Sequence, residues 1–474
     1  MTLSLWRYSH LILALSTAVF ILIAAVTGII LAFEPISNQL HPFSIDKSKT
    51  ISLSEVLANV KANYDEIYSL EIDENGFLKA SVLEKNGNNG NFYINPKNGA
   101  KLGNRIKKKP IFEFATNLHR SLFLKSTGRF IIGLVSLLLC IIAVTGVLLI
   151  AKRQGGFRRW FAKVIKEDFN QYAHVVLGRY MLVPIIIITL TGVFLSLERF
   201  SVLPKATSEH VTLEQDETQV DLDPEEFEIF RKSTLENLVS LEFPFSKDEE
   251  DYYILQLKDK QVYVQQYNGS IISEAEVSPL TKLLDLSIVL HTGKGTIIWS
   301  LVLGIACISI LFFMYSGFSM TWKRTKGQTT FKNRFDNANA EYVLLTGSET
   351  GSTLKFAHAF AKAMLAESKS ILVDSLNNYT VYPNAKQILI FTSTYGEGEA
   401  PFSAKTFIDK LPVVKQQNTL EYAVVGFGSL LYPDYCKYAI EVDNQLHKHK
   451  KFVSQLPLFK INNQSFEAFK SWVV

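Results

Sequence analysis

The sequence predicts a multidomain membrane protein: a four-helix transmembrane core with two α+β extramembrane domains, and a C-terminal α/β domain built on a doubly wound parallel sheet. Three observations carry this expectation. Four apolar blocks are long enough to cross a bilayer, the blocks and the segments between them occur as two copies, and beyond Lys326 the composition becomes that of a soluble α/β domain. At 474 residues, several folded units are expected. Hydrophobic residues make up 47% and charged ones 20%, a balance that leans towards membrane proteins. The net charge of +4 is too small and too dispersed for nucleic acid to be a partner. Of the three cysteines, Cys140 and Cys307 lie in apolar blocks and Cys436 near the C-terminus, which excludes a disulfide framework and a cysteine metal site.

Leu11 to Phe33 contains no charged residue and is long enough for a hydrocarbon core of roughly 30 Å at about 1.5 Å per residue. It is too long for a signal-peptide core and no small-residue cleavage site follows, so residues 1–35 read as a retained first span. Phe130 to Ala151 gives the second span, within an amphipathic segment and helix at 110–152. Tyr180 to Leu197, extended back to Tyr172, gives the third at 172–198, and Ile297 to Trp322 the fourth at 288–323. The lipid bilayer is therefore the first partner.

The blocks repeat. His10 through Thr27-Gly28 matches His174 through Thr191-Gly192 with the same spacing, and His119 through Thr145-Gly146 matches His291 through Ser316-Gly317. Between the spans, 46–106 and 205–285 each read as a helix followed by strands, ending in the strand-turn signals Asn95-Pro96-Lys97-Asn98-Gly99 and Tyr267-Asn268-Gly269. This pattern resembles the PepSY domain and the PepSY-associated transmembrane family of bacteria, over about residues 1–325.

Each of the four repeat units places one histidine at or near the end of a span. Alternating helix directions put His10 and His174 at one membrane face and His119 and His291 at the other. Imidazole is a good axial ligand for haem iron, and a pair from facing helices suits a low-reactivity electron-transfer centre. For one histidine alone, a place among lipid headgroups is an equal alternative; four in register point to function. Some members of the resembled family are inner-membrane reductases that release iron from ferric siderophores with two haems, which implies haem b at these four residues. Gly28, Gly146, Gly192 and Gly317 allow close approach of helices or of a porphyrin.

After a linker at 324–340, residues 341–474 form the last domain. The strand Tyr342 to Leu345 leads into Thr346, Ser348, Glu349, Thr350, Gly351, Ser352 and Thr353 and then a helix, a hydroxyl-rich loop suited to a phosphate. It is neither a Rossmann nor a P-loop motif. A second strand leads into Thr394, Tyr395, Gly396, Glu397 and Gly398, and a third into Gly428, Ser429, Tyr432 and Tyr435. Three loops at strand C-termini make one site. These segments resemble the flavodoxin family, closest to the FMN domain of diflavin reductases, and the resemblance implies FMN with Tyr432 covering the flavin ring. Ser429 stands where asparagine is usual. Diflavin reductases continue into an FAD and nicotinamide domain, so the resemblance implies a separate cytosolic NAD(P)H-linked flavin reductase as donor.

A cytosolic flavin puts both termini in the cytosol of a bacterial inner membrane. Lys152, Arg153, Arg158, Arg159, Lys163 and Lys166 between spans two and three agree with the positive-inside rule; Arg105, Lys107, Lys108, Lys109 and Lys125 fall outside, as a solvated run or as an attractant for anionic chelates. The function expected is that of an oxidoreductase moving electrons through FMN and two bis-histidine haems to a periplasmic ferric siderophore, with quinone or a periplasmic redox partner behind it. The competing reading is a membrane-anchored flavoprotein that serves another haemoprotein, with PepSY segments as interaction modules and no haem.

Overall fold

Long uninterrupted apolar stretches close their backbone hydrogen bonds only as helices, and four such helices form: Leu3–Gln39, Lys125–Gln154, Phe169–Arg199 and Ile297–Lys326. All four are long and apolar enough to cross a membrane, and are called here the first to fourth spans. The computed structural model describes residues 3–45, 48–154, 156–164, 169–204, 211–212, 221–248, 250–326, 331–349, 351–396, 398–430 and 432–473. Lys166, Thr350 and Glu397 of the sequence analysis lie outside the described residues. The chain divides into two compact units, one of residues 1–16, 141–182 and 312–474, the other of 17–140 and 183–311.

In the second unit the two extramembrane segments are not separate domains. Their strands form one nine-stranded sheet in the order Lys101–Asn104, Asn89–Ile94, Leu78–Leu83, Glu66–Ile72, Leu238–Glu242, Tyr252–Leu257, Lys260–Gln265, Ile271–Glu276, Val211–Thr212. The copies meet where Ser69, Leu70 and Glu71 pair antiparallel with Glu242, Leu241 and Ser240. Either copy alone would leave an apolar strand edge unpaired, and pairing the two edges removes that liability. One core then serves both, with Leu70, Leu78, Phe92, Phe230, Leu241 and Val264 fully or almost fully buried.

The helix Leu53–Lys61 starts at Ser52, whose hydroxyl accepts the Glu55 N–H, and buries Leu53, Val56, Leu57 and Val60, one apolar face at helical spacing. Its counterpart Glu228–Lys232 is a single turn. The two turn glycines carry equivalent roles: Gly99 (φ 65) and Gly269 (φ 68) are left-handed, and a Cβ would meet Asn59 O at 2.3 Å and Phe227 Cγ at 2.4 Å respectively.

The amphipathic segment at 110–152 and the fourth span expected at 288–323 are each broken by a turn just after the histidine. His119 lies on a separate helix, Pro110–Ser121, closed by Leu122 in the left-handed region (φ 50), before the second span starts at Lys125. His291 lies on Pro279–Thr292, capped by Ser278 and closed by Gly293 (φ 75), before the fourth span starts at Ile297. Left-handed closure is the usual helix stop and needs little of its sequence.

In the first unit a parallel sheet has the order Ile371–Ser375, Tyr342–Gly347, Gln387–Ser393, Leu420–Gly428, Phe452–Ser454, with Phe459–Asn462 pairing the far half of Leu420–Gly428. Alternate strand residues feed opposite faces. Val343, Leu345, Ile388, Ile390 and Val424 pack with the helix Lys437–His447. Leu344, Leu389, Phe391 and Val425 pack with Ser352–Ala366 and Phe466–Val473. The first strand is central and the chain then goes to either side of it, so the C-termini of Tyr342–Gly347 and Gln387–Ser393 flank the switch point where such sheets bind ligands.

Candidate functional site

A cleft opens at those strand ends. It opens to solvent, with about 870 Å³ of space counted out to its mouth. Of the residues expected to hold FMN, Glu349, Ser352, Thr394, Tyr395, Gly396, Gly428, Ser429, Tyr432 and Tyr435 line it. Thr346, Ser348, Gly351, Thr353 and Gly398 do not. Thr346 is spent on the sheet, its hydroxyl donating to Asp374 O at 3.0 Å. Ser348 shapes the loop by accepting the Gly351 N–H at 2.9 Å, and Gly351 (φ 87) turns the chain into the helix Ser352–Ala366.

Two features beside the cleft, at the helix start behind its wall, fit a flavin phosphate. The helix Ser352–Ala366 begins without a side-chain cap, so its first N–H groups are available to an anion. Thr353 Oγ1, fully buried at this helix start, has no hydrogen-bond partner among the described residues. A buried hydroxyl without a partner is costly, and a phosphate oxygen would supply the acceptor. Gly428 is required by packing, since a Cβ would meet Cys436 N and Sγ at 3.0 Å and Tyr435 at 3.1 Å. Burial, with the adjacent Cys436, pushes the Tyr435 phenol up to about 12, so it stays a neutral hydroxyl at physiological pH.

Gln171, Asp434 and Gln464 also line the cleft, and no sequence signal marks them. Gln171 comes from the third span, three residues before His174.

The four histidines form two pairs with one construction. In the first unit, His10 Nδ1 lies 2.9 Å from Thr145 Oγ1 and 3.1 Å from Ile142 O, and His174 Nδ1 lies 2.8 Å from Ser316 Oγ. In the second, His119 Nδ1 lies 2.9 Å from Thr27 Oγ1 and 3.1 Å from Ala24 O, and His291 Nδ1 lies 3.1 Å from Thr191 Oγ1 and 3.0 Å from Ile188 O. Each hydroxyl already donates to a carbonyl one turn back in its own helix, from Thr27 to Ile23, Thr145 to Ile142, Thr191 to Ile187 and Ser316 to Phe312. Its lone pair is what remains, so it accepts from Nδ1–H. The network thereby assigns the Nδ1–H tautomer and leaves each Nε2 lone pair for a ligand.

The glycine after each hydroxyl lies against the same imidazole. A Cβ would stand 3.8 Å from His119 at Gly28, 3.4 Å from His10 at Gly146, 3.1 Å from His291 at Gly192 and 3.9 Å from His174 at Gly317. The His119 and His291 rings have centroids 6.2 Å apart, tilted 58°. Among the described residues, no group of three or more His, Cys, Asp or Glu converges as a metal site.

The basic residues near the second unit's histidines are divided. Lys108 pairs with Glu34 at 3.1 Å and Lys109 donates to Ser37 at 2.9 Å, which makes them structural. Arg120, Lys125, Arg129 and Arg199 instead line a recess beside the helix carrying His119.

Comparison with known proteins agrees with both halves. The PepSY-associated TM region matches residues 7–324 and Flavodoxin matches residues 344–472. Inducible nitric oxide synthase of Gallus gallus is 28% identical over 144 residues, 29% of this chain and 12% of the relative. The sulfite reductase [NADPH] flavoprotein alpha-component of Mannheimia succiniciproducens is 28% identical over 142 residues, 27% of this chain and 24% of the relative. The chain thus spans only a small part of the curated relatives it matches. Among solved structures, oxidised flavodoxin 1 from Bacillus cereus matches at 19% identity and a TM-score of 0.25, covering 27% of this chain and 90% of that one.

Proposed function

This chain belongs to the PepSY-associated TM region family, and from that premise we propose that it is a membrane oxidoreductase carrying electrons from a cytosolic flavin at residues 341–474 to a ferric chelate on the opposite side. When bound, FMN and haem supply the electron-carrying chemistry. The residues supply position, orientation and exclusion of water.

The carrying observation is the fourfold histidine construction. A structural histidine needs a hydrogen bond; it does not need the same hydroxyl-glycine pair, with the hydroxyl's proton already committed, four times. In this reading His10 and His174 hold one haem at the span ends nearest the flavin cleft, and His119 and His291 hold another at the other ends. Thr145, Ser316, Thr27 and Thr191 fix the tautomer, and the following glycines keep the imidazoles close to the spans. In the cleft, the start of helix Ser352–Ala366 with Thr353 takes the FMN phosphate, and Tyr395, Tyr432 and Tyr435 take the ring system.

The recess of Arg120, Lys125, Arg129 and Arg199 favours an anionic acceptor, for which a ferric siderophore is the preferred class. The donor is an NAD(P)H-linked flavin reductase, and the membrane a bacterial inner membrane with both termini cytosolic.

In sealed vesicles carrying the protein, with flavin reductase and NADPH on the flavodoxin side and an impermeant ferric chelate on the other, ferrous iron should form on the chelate side. NADPH without the reductase should give little. Ferrous iron confined to the flavodoxin side, at the rate of protein-free vesicles elsewhere, would refute transmembrane transfer.

A further inference from the structure

In the first unit a buried contact joins the flavin cleft to the first span. Arg7, near the start of the first span, donates from Nη1 to Glu349 Oε1 at 2.9 Å, with the two side chains only 12% and 9% exposed. Its guanidinium also lies 4.7 Å from the Tyr395 ring centroid and 5.1 Å from that of Tyr8. Beside it Lys405 donates to Tyr8 Oη at 3.1 Å. Glu349 and Tyr395 are walls of the flavin cleft, while Arg7 stands three residues before His10, one helical turn along the span.

A charge at the start of an apolar span is expensive unless it is paired, and an arginine fork held by a carboxylate on one side and an aromatic face on the other fixes both distance and orientation. The other oxygen of Glu349 accepts the Phe402 N–H at 2.8 Å, so the carboxylate is itself held by the loop that follows the second flavin segment. Gln171, one turn from His174, completes the approach by lining the same cleft.

We propose that Arg7 is a positioning residue: it latches the flavin cleft to the first span and thereby sets the separation between the flavin and the His10–His174 pair. The proposal rests on the reading of the cleft as the FMN site and of that pair as haem ligands. It adds that the flavodoxin domain works from a docked position held by Arg7, Tyr8, Glu349, Tyr395 and Lys405, in which a wall of the cofactor site is also the docking surface.

The test uses the full-length, FMN-loaded protein in lipid nanodiscs, with Arg7→Ala, Arg7→Lys and Lys405→Ala. Amide exchange reads the latch directly, because the Phe402 N–H is bonded to Glu349. Arg7→Ala should raise exchange at Phe402 by about tenfold, with smaller rises for Arg7→Lys and Lys405→Ala, while the strand Leu420–Gly428 stays protected. FMN affinity should remain within about threefold, and flavin-to-haem transfer should slow by about tenfold or more because geometry, not cofactor content, has changed. Unchanged exchange at Phe402 in both alanine variants overturns the latch, and so does loss of FMN from Arg7→Ala, which would make Arg7 a cofactor ligand. If the wild-type protein holds no haem, the transfer arm fails with the proposed function while the exchange arm still decides the latch.

Discussion

Replacing His119 or His291 by alanine is expected to remove one haem and leave the other, and replacing His10 or His174 to remove the second and leave the first. Each variant loses one of two axial nitrogens, and a five-coordinate haem held by a single imidazole is released far more readily. Haem content and the low-spin visible bands of each purified variant read this directly. The losses should group as His119 with His291, whose ring centroids lie 6.2 Å apart, and His10 with His174, because each of these pairs falls within one compact unit. Thr191→Val and Thr27→Val should produce a milder version. They keep the imidazole but remove the acceptor that fixes Nδ1–H, and loss of such a partner typically costs about 10–100-fold in metal affinity. Full haem content in all four histidine variants would refute the ligand assignment; loss grouped as His10 with His119 would refute the pairing alone.

The second large effect is expected at Thr353. Its Oγ1 is buried without a partner among the described residues, so Thr353→Val should leave the FMN-free protein as stable as before or slightly more so, since an unsatisfied hydroxyl gives way to a methyl group. FMN binding should fall, because a hydrogen bond to a charged phosphate contributes about 1.5–3 kcal/mol, or about 10–100-fold. Tyr432→Ala should weaken binding by removing a stacked ring, on the order of 1 kcal/mol beyond area burial. Flavin fluorescence titration gives the affinities and thermal unfolding of the apoprotein gives the stabilities. A Thr353→Val variant with unchanged affinity would mean that the phosphate does not reach this helix start.

Much of this was legible in the sequence because its signals are periodic. Charge-free blocks fix the spans, equal spacing from His10 to Gly28 and from His174 to Gly192 fixes the duplication, and hydroxyl-rich or glycine-rich loops after short apolar strands fix the cleft. What escaped depends on neighbours that are distant in the chain. Thr27 and Thr191 look like ordinary small residues of a span until the helices Pro110–Ser121 and Pro279–Thr292 fold back on them. The position of the break after His119 has no glycine to mark it, because a leucine, Leu122, takes the left-handed position. The edge pairing of Leu70 with Leu241 joins strands from two copies that each look complete. In the flavin loop, Thr346 has the composition of a phosphate ligand but its hydroxyl is drawn to the neighbouring strand at Asp374, and Gln171 reaches the cleft from a span.

The family match and the flavodoxin fold are compatible with two kinds of protein, one that passes electrons through the membrane and one that is merely anchored in it. Cofactor stoichiometry separates them. The purified full-length chain should carry one FMN and two haems, with oxidised and dithionite-reduced spectra showing low-spin bis-imidazole bands. One FMN per chain with no haem band in either state would contradict the account, and the histidine pairs would then be hydrogen-bonded staples between helices of an anchored flavoprotein.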